Sequence, residues 1–99
     1  MKFISHYKEF DRREKDSVLN NISNTPIKGK EKLLEYMKTG TDGGVCCSAV
    51  YDFVEGFSTG KTIHCYTDGE YFWNDKEIYH FEHYNLKLDE NFIEKVLSI

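Results

Sequence analysis

The fold of this chain is decided by a short stretch at residues 67–73, which reads TDGEYFW. The pair Asp68-Gly69 is favoured in the two-residue turns of β-hairpins, because both central positions of a type I′ turn need positive φ. Residues that favour β-strands lie on both sides of the pair. We therefore expect a β-hairpin with a type I′ turn made of Asp68 and Gly69.

The expected turn also sets the pairing of the two strands that it joins. Counting outward from the turn places Tyr66 opposite Tyr71 and Cys65 opposite Phe72. Successive side chains of a strand point to opposite faces, so Tyr66, Tyr71 and Trp73 share one face of the hairpin. Both faces are apolar, and we expect either that both are covered or that one is a binding surface.

The residues before this hairpin predict the rest of the sheet. Residues 45–54 are rich in valine, cysteine, tyrosine and phenylalanine, and residues 61–67 alternate well enough for a strand. Residues 55–60, which lie between these runs, contain glycine and serine suited to a turn. With residues 70–73, these runs predict an antiparallel sheet of about three strands.

Helical patterns precede the sheet. Residues 29–39 place leucine and methionine side chains on one face, which predicts an amphipathic helix. Residues 11–22 carry a narrower apolar stripe and predict a weakly held surface helix, ended by the loop around Pro26. We expect residues 1–28 to form a peripheral helix and loop.

Helical patterns also follow the sheet. Asn74 or Asp75 is suited to cap a helix that runs to about Tyr84, and Asp89 is suited to cap a last helix. The order of elements predicts one small single domain of the α+β class over residues 1–99, with an antiparallel sheet flanked by N-terminal and C-terminal helices.

The charge of the chain is divided unevenly along its 99 residues. The formal net charge is −4, with net +3 over residues 1–41 and net −7 over residues 42–99. Nucleic-acid affinity depends on lysine and arginine side chains that neutralise phosphates. The acidic half therefore argues against a nucleic-acid partner, and it favours either a solvated surface or attraction of a basic protein.

The cysteines and the first residues favour a cytoplasmic protein. The chain has three cysteines, Cys46, Cys47 and Cys65, which is an odd number, and no two of them form a C-x-x-C motif. Adjacent cysteines in a strand point to opposite faces and are poorly placed to bridge each other. The first residues, MKFISHYKE, lack the apolar core of a signal peptide, and the chain has no apolar run of the roughly 20 residues that a bilayer needs. We expect a reducing compartment and no membrane contact.

The sequence offers little catalytic apparatus. His80 and His83 lie three residues apart on a predicted helix, with Glu77 nearby, but a third ligand with zinc-site spacing is missing. The sequence contains no G-x-S-x-G, P-loop or G-x-G-x-x-G motif. We therefore expect no catalytic residues, no metal and no cofactor. The alternative is a small metal- or thiol-dependent enzyme that uses His80, His83 or Cys65.

The predicted hairpin and the helix start after it form the candidate partner-binding surface. Carboxylates supply charge there, and large aromatic side chains supply the contacts that dominate interface energetics. The predicted partner-binding residues are Asp68, Glu70, Tyr71, Trp73, Asp75 and Glu77. Tyr71 and Trp73 have an equally good alternative role as core residues between the sheet and a helix.

The stretch TDGEYFW at residues 67–73, a helix, and then YNLKLDENFI at residues 84–93 resemble a known pattern. They are similar to small bacterial immunity proteins of toxin–immunity systems, including contact-dependent growth inhibition, which carry a T-D-G-x-Y-x-W hairpin before two short helices. KLLEYMKTG at residues 32–40 also resembles the helix before the sheet in these proteins. The resemblance covers residues 31–99.

The resemblance implies a cytoplasmic protein without an active site that binds its cognate toxin domain tightly. The toxin of such a system is commonly a basic nuclease, and the immunity protein covers its catalytic cleft or a neighbouring surface. An acidic face suits that role, because it occupies the place of substrate phosphates. The alternative is a regulatory or adaptor domain whose protein partner is not a toxin.

Overall fold

A computed structural model describes residues 2–99, apart from the side chains of Cys46 and Cys47. A 3-10 turn at Val18–Asn20 precedes the first helix. The helices and strands, in chain order, are β1 (Lys2–Phe3), α1 (Lys30–Lys38), β2 (Thr41–Asp52), β3 (Phe57–Thr67), β4 (Tyr71–Asn74), α2 (Asp75–Tyr84) and α3 (Glu90–Leu97). The predicted α+β class is confirmed. In this described part of the chain, no helix is both long enough and apolar enough to cross a membrane.

The sheet contains the three predicted antiparallel strands and one more. Its strand order is β1-β4-β3-β2, with β2, β3 and β4 antiparallel to their neighbours. The added strand, β1, lies parallel to β4 and pairs Lys2 with Tyr71 and Phe3 with Phe72. The sheet therefore ends in a two-residue strand on one side and in the twelve-residue β2 on the other.

The turn between β3 and β4 differs from the predicted type I′ turn. Thr67 pairs with Phe72 and Tyr66 with Trp73, so the predicted register was wrong by two residues. The physical reason is the Asp68 side chain, whose Oδ1 accepts the backbone N–H groups of Glu70 (2.9 Å) and Tyr71 (2.6 Å). These bonds stabilise a longer turn. A shift of two residues keeps every side chain on the same face, so Tyr66, Tyr71 and Trp73 share one face of the sheet as predicted.

Residues near the N-terminus form part of the core. The prediction of a helix over residues 11–22 was wrong. Only Val18–Asn20 form a helical turn there. The Glu9 carboxylate accepts the Ser17 hydroxyl at 2.5 Å and the backbone N–H of Val18 at 3.0 Å, which stabilises an irregular conformation. Ile4 and Val18 are fully buried. The segment from Ile4 to Val18 is therefore not peripheral, whereas residues 23–28 are exposed.

The three α-helices agree with the sequence prediction. α1 buries Leu33 and Met37. α2 begins with a capping box, in which the Asn74 side chain accepts a backbone N–H at the helix start and Glu77 accepts the backbone N–H of Asn74. At the start of α3, the Asp89 carboxylate accepts two backbone N–H groups. These caps satisfy donors that a helix cannot pair internally.

Trp73 lies at the centre of the main core. Its side chain is fully buried, and its Nε1–H donates to the carbonyl of Met37 in α1 at 2.9 Å. The ring of Phe92 in α3 lies 5.5 Å from it, and Tyr36 lies 6.0 Å away. A Cβ atom at Gly40 would come within 2.8 Å of the indole. The indole therefore joins β4, α1 and α3.

The substitution Trp73→Ala should lower the free energy of unfolding by about 3–5 kcal/mol, because it leaves a large cavity and an unpaired carbonyl. Urea unfolding measures this loss. The matched control is Phe57→Ala at an aromatic side chain that is 48% exposed, for which we expect a change below about 1 kcal/mol. Equal losses in the two variants would contradict the central role of the indole.

Candidate functional site

The structure places half of the predicted partner-binding residues in the interior. Tyr71, Trp73 and Glu77 are 3%, 0% and 5% exposed. Tyr71 stacks edge-on against Phe92 at 5.2 Å, as core residues do. Direct contact of these three side chains with a partner is not compatible with that burial. Of the two roles considered for Tyr71 and Trp73, the core role is correct.

The predicted carboxylates that do reach the surface are bound to groups of the same chain. Lys95 Nζ lies 2.8 Å from Asp68 Oδ2 and 2.9 Å from Glu70 Oε1, and Lys2 lies 3.2 Å from Glu70 Oε2. Hydrogen bonds from these lysines hold the pKa of Glu70 below its usual range. Asp75 accepts both the backbone N–H and the Nδ1 of His64. Pairing with lysines of the same chain therefore reduces the net negative charge predicted for this patch.

Glu77 is a buried carboxyl group at the start of α2. It accepts the hydroxyl of Ser5 at 2.5 Å and the backbone N–H of Asn74 at 3.2 Å. Burial raises the pKa of Glu77 to about 7, because these two hydrogen bonds do not replace all the water that the carboxylate loses. The group links the N-terminal segment to α2 instead of facing a partner.

Glu77 should make the chain less stable as the pH rises through the weakly acidic range. Between its usual pKa of 4.5 and the folded value of about 7, the folded state holds a proton that the unfolded state has released. The contribution of Glu77 to stability is therefore fully present below about pH 4.5 and falls by roughly 3 kcal/mol at most by pH 7. The lowered pKa of His80 gives a slope of opposite sign in much of this range, so the measured quantity is the free energy of unfolding of the native chain minus that of Glu77→Gln. Urea unfolding at several pH values should show this difference falling between about pH 4.5 and 7. The exposed-site control Glu94→Gln should keep the pH slope of the native chain, and an unchanged slope in Glu77→Gln would exclude the assignment.

The histidines considered as metal ligands have other roles. His80 is fully buried, its Nδ1–H donates to the carbonyl of Lys76 at 2.7 Å, and its Nε2 accepts the backbone N–H of Phe53 at 3.1 Å. Burial lowers the pKa of His80. The His83 ring packs against Tyr79. Within the described residues, no group of three or more histidine, cysteine or acidic side chains is arranged to hold a metal ion.

The surface that does present large apolar side chains is the hairpin formed by β2 and β3. Val45 is 59% exposed, Tyr51 41% and Phe57 48%, and the charged residues Asp42 and Glu55 are exposed between and beside them. Tyr51 pairs with Ser58 and Phe57 with Asp52, so the two aromatic side chains lie on opposite faces of the ribbon, and a partner that encloses its end can contact both. We call these five side chains the hairpin surface. The sequence predicted both strands, but its pattern gave no signal for which apolar residues would stay uncovered, because that depends on where the helices pack.

The hairpin surface belongs to a segment of one charge sign. Residues 39–60 contain no lysine or arginine, and their charged residues are Asp42, Asp52 and Glu55. The nearest basic residues along the chain are Lys38 and Lys61. The hairpin thus combines exposed apolar groups with the exposed carboxylates of Asp42 and Glu55, and the one lysine or arginine of residues 41–67 is Lys61 in β3.

A cluster around the buried carboxylate of Asp52 fixes this hairpin to α2. Asp52 is fully buried at the end of β2 and accepts the hydroxyls of Tyr79 (2.6 Å) and Tyr84 (2.5 Å). It also accepts the backbone N–H groups of Val54 and Glu55 in the hairpin turn. Burial alone would raise the pKa of Asp52, but these four donors lower it to about 2. The carboxylate therefore stays ionised and holds the turn against the helix.

The substitution Asp52→Asn should lower the free energy of unfolding by about 3 kcal/mol at neutral pH, because an amide cannot accept from all four donors. Urea unfolding gives the value. Asp42→Asn, at the exposed end of the same strand, is the matched control and should cost less than about 1 kcal/mol. The native chain should also lose the contribution of Asp52 as the pH falls from about 4 through 2. Similar losses in both variants would argue against the cluster.

Comparison of the chain with family models, with curated proteins and with solved structures gives no match. Among these surfaces, the hairpin surface combines exposed aromatic groups with exposed carboxylates.

Proposed function

We propose that this chain is a bacterial immunity protein that neutralises its cognate toxin by tight protein–protein binding in the cytoplasm. The observation that carries the proposal is the exposure of Val45, Tyr51 and Phe57 on an acidic hairpin. Large apolar groups gathered on one exposed ribbon are typical of interaction sites. The resemblance to immunity proteins supplies the class of partner.

The two exposed aromatic residues are suited to be the energetic centre of the interface. Tyrosine is enriched among the residues that dominate binding energy, and aromatic side chains bury much area for little lost freedom. The rings of Tyr51 and Phe53 lie 5.1 Å apart in an edge-to-face contact, which restricts Tyr51 before a partner arrives. Restriction in the free protein lowers the entropy cost of binding.

The charge of the hairpin favours a basic toxin domain, such as a nuclease. Such an enzyme needs positive groups to bind phosphates, and exposed carboxylates of an inhibitor can take the place of those phosphates. Asp42 and Glu55 are exposed without a lysine or arginine in the segment around them. We expect them to speed association more than they strengthen the complex.

The earlier candidates take a smaller part in this proposal. Glu70 keeps a 46% exposed side chain and Asp75 a 24% exposed one. Both can add charge at the rim of an interface. Their contribution to partner binding stays a prediction, and their existing contacts with lysine and histidine should keep it small.

The proposal is tested with the polypeptide encoded beside this chain. Expression of that polypeptide in a bacterial host should stop growth, and co-expression of this chain should restore it. The purified pair should form a stoichiometric complex. If the neighbouring polypeptide binds this chain but is not toxic, the result supports the regulatory or adaptor function. If the polypeptide is toxic and this chain neither binds it nor restores growth, the proposal is rejected.

The double substitution Tyr51→Ala with Phe57→Ala should weaken binding of the toxin by on the order of a hundredfold, because it removes both exposed aromatic groups from the interface. Titration calorimetry measures the affinity. The melting temperature should stay within a few degrees of the native value. The control is Leu19→Ala with Ile27→Ala, which removes two exposed apolar groups outside the hairpin and should leave the affinity unchanged. Equal weakening in both would place the interface elsewhere.

A further inference from the structure

We propose that the outer edge of β2 accepts an extended, basic segment of the partner as an additional strand of the sheet. The class of partner rests on the proposed function, whereas the mode of binding rests on the geometry of the sheet. In this mode, backbone hydrogen bonds supply affinity and alternate side chains supply specificity.

The edge at β2 is long and has no strand beside it in the described chain. β2 spans twelve residues, and across Lys2–Ile99 it pairs with β3 alone. At the other edge of the sheet, β1 covers only two residues. An edge strand presents unpaired N–H and C=O groups on its outer side, which are a template for another strand.

β2 lacks the side chains that usually block such an edge. Natural edge strands carry lysine or proline, and the twelve residues of β2 contain neither. Its register shifts at Asp42/Gly44, Cys46/Ala49 and Ala49/Tyr51 limit how far an added strand can follow it. Five of the six positions in residues 41–46 pair with β3, and this stretch contains only the shift at Asp42/Gly44. We place the added strand there.

The register shows which side chains of β2 such a strand would meet. Asp42 lies opposite Tyr66 and Val45 opposite His64. Tyr66 and His64 are two residues apart on β3 and share a face, so Asp42 and Val45 share that face despite the extra residue Gly43 between them. An incoming strand with a lysine or arginine beside an alternate apolar residue matches this pair.

Charge selects such a partner over a second copy of this chain. Pairing of two β2 edges would bring together two hairpins whose exposed charged residues over residues 39–60 are Asp42 and Glu55, with no lysine or arginine in that range. Like charges across paired strands are destabilising, and opposite charges are stabilising. A basic segment of the toxin satisfies both the backbone groups and the charge of this edge.

Hydrogen–deuterium exchange on the complex with the neighbour-encoded polypeptide tests the mode of binding. Alternate amides within residues 41–46 should exchange at least about tenfold more slowly in the complex than in the free chain. Binding that leaves these amides unprotected would overturn strand addition and leave the immunity function standing.

Synthetic peptides test the edge independently of any toxin. A peptide of roughly eight residues that alternates lysine and valine should bind the full chain and protect the same amides, whereas a glutamate–valine peptide should not. Methylation of alternate backbone nitrogens on the pairing edge of the lysine peptide should lower its affinity for the chain by on the order of tenfold, since it removes N–H donors without changing side chains. The edge proposal is rejected by any of three results. The lysine peptide does not bind, it binds without protecting the amides of β2, or the methylated peptide binds with equal affinity. If the peptide binds as expected but the neighbouring polypeptide does not, the function fails and the edge proposal holds.

A matched pair of variants places the contact on β2. Val45→Lys adds a blocking positive charge to the edge. The affinity of this variant for the lysine peptide and for the toxin should each fall by on the order of tenfold. Leu19→Lys makes the same change at a similarly exposed position outside the hairpin and should leave both affinities unchanged. Because both sites are exposed, both variants should keep the native melting temperature. Equal affinities for the two variants would argue against the edge.

Discussion

The buried carboxylate of Asp52 is the constraint on which the position of the hairpin depends. A charge removed from water is costly unless donors surround it, and Asp52 meets two tyrosine hydroxyls of α2 and two backbone N–H groups of its own turn. The backbone of Phe53 is held in the same way by His80. These bonds fix the turn end of the hairpin against α2, while most side chains of β2 remain at the surface.

This arrangement divides the sheet into two halves with different roles. The half formed by β1, β4 and the C-terminal end of β3 lies with the helices around Trp73, where Tyr71 and Phe92 complete the core. The other half, formed by most of β2 and the start of β3, is largely exposed. The inner half is therefore packed against the helices, whereas the outer half is accessible to solvent.

Sequence reasoning succeeded where one local signal controlled the outcome and failed where two competed. The caps of α2 and α3 and the apolar face of α1 were predictable, because each depends on residues within one or two turns. The β3–β4 turn followed the Asp68 side chain instead of the Asp-Gly preference. The helix expected over residues 11–22 was replaced by bonds from Glu9 to Ser17 and Val18, eight and nine residues away. The acidic patch failed in the same way, since Lys2 and Lys95 reach Glu70 from opposite ends of the chain.

The sequence by itself determined the α+β class, the three antiparallel strands and the three α-helices, because hydrophobic period and capping side chains are local properties. It also determined the acidic character of residues 39–60. Only the tertiary structure decided which aromatic residues are buried and which are exposed. Trp73 and Tyr51 both lie in strands, and no local pattern separates them. The helices pack over the half of the sheet that holds Trp73, and Tyr51 lies in the other half, where its side chain stays 41% exposed.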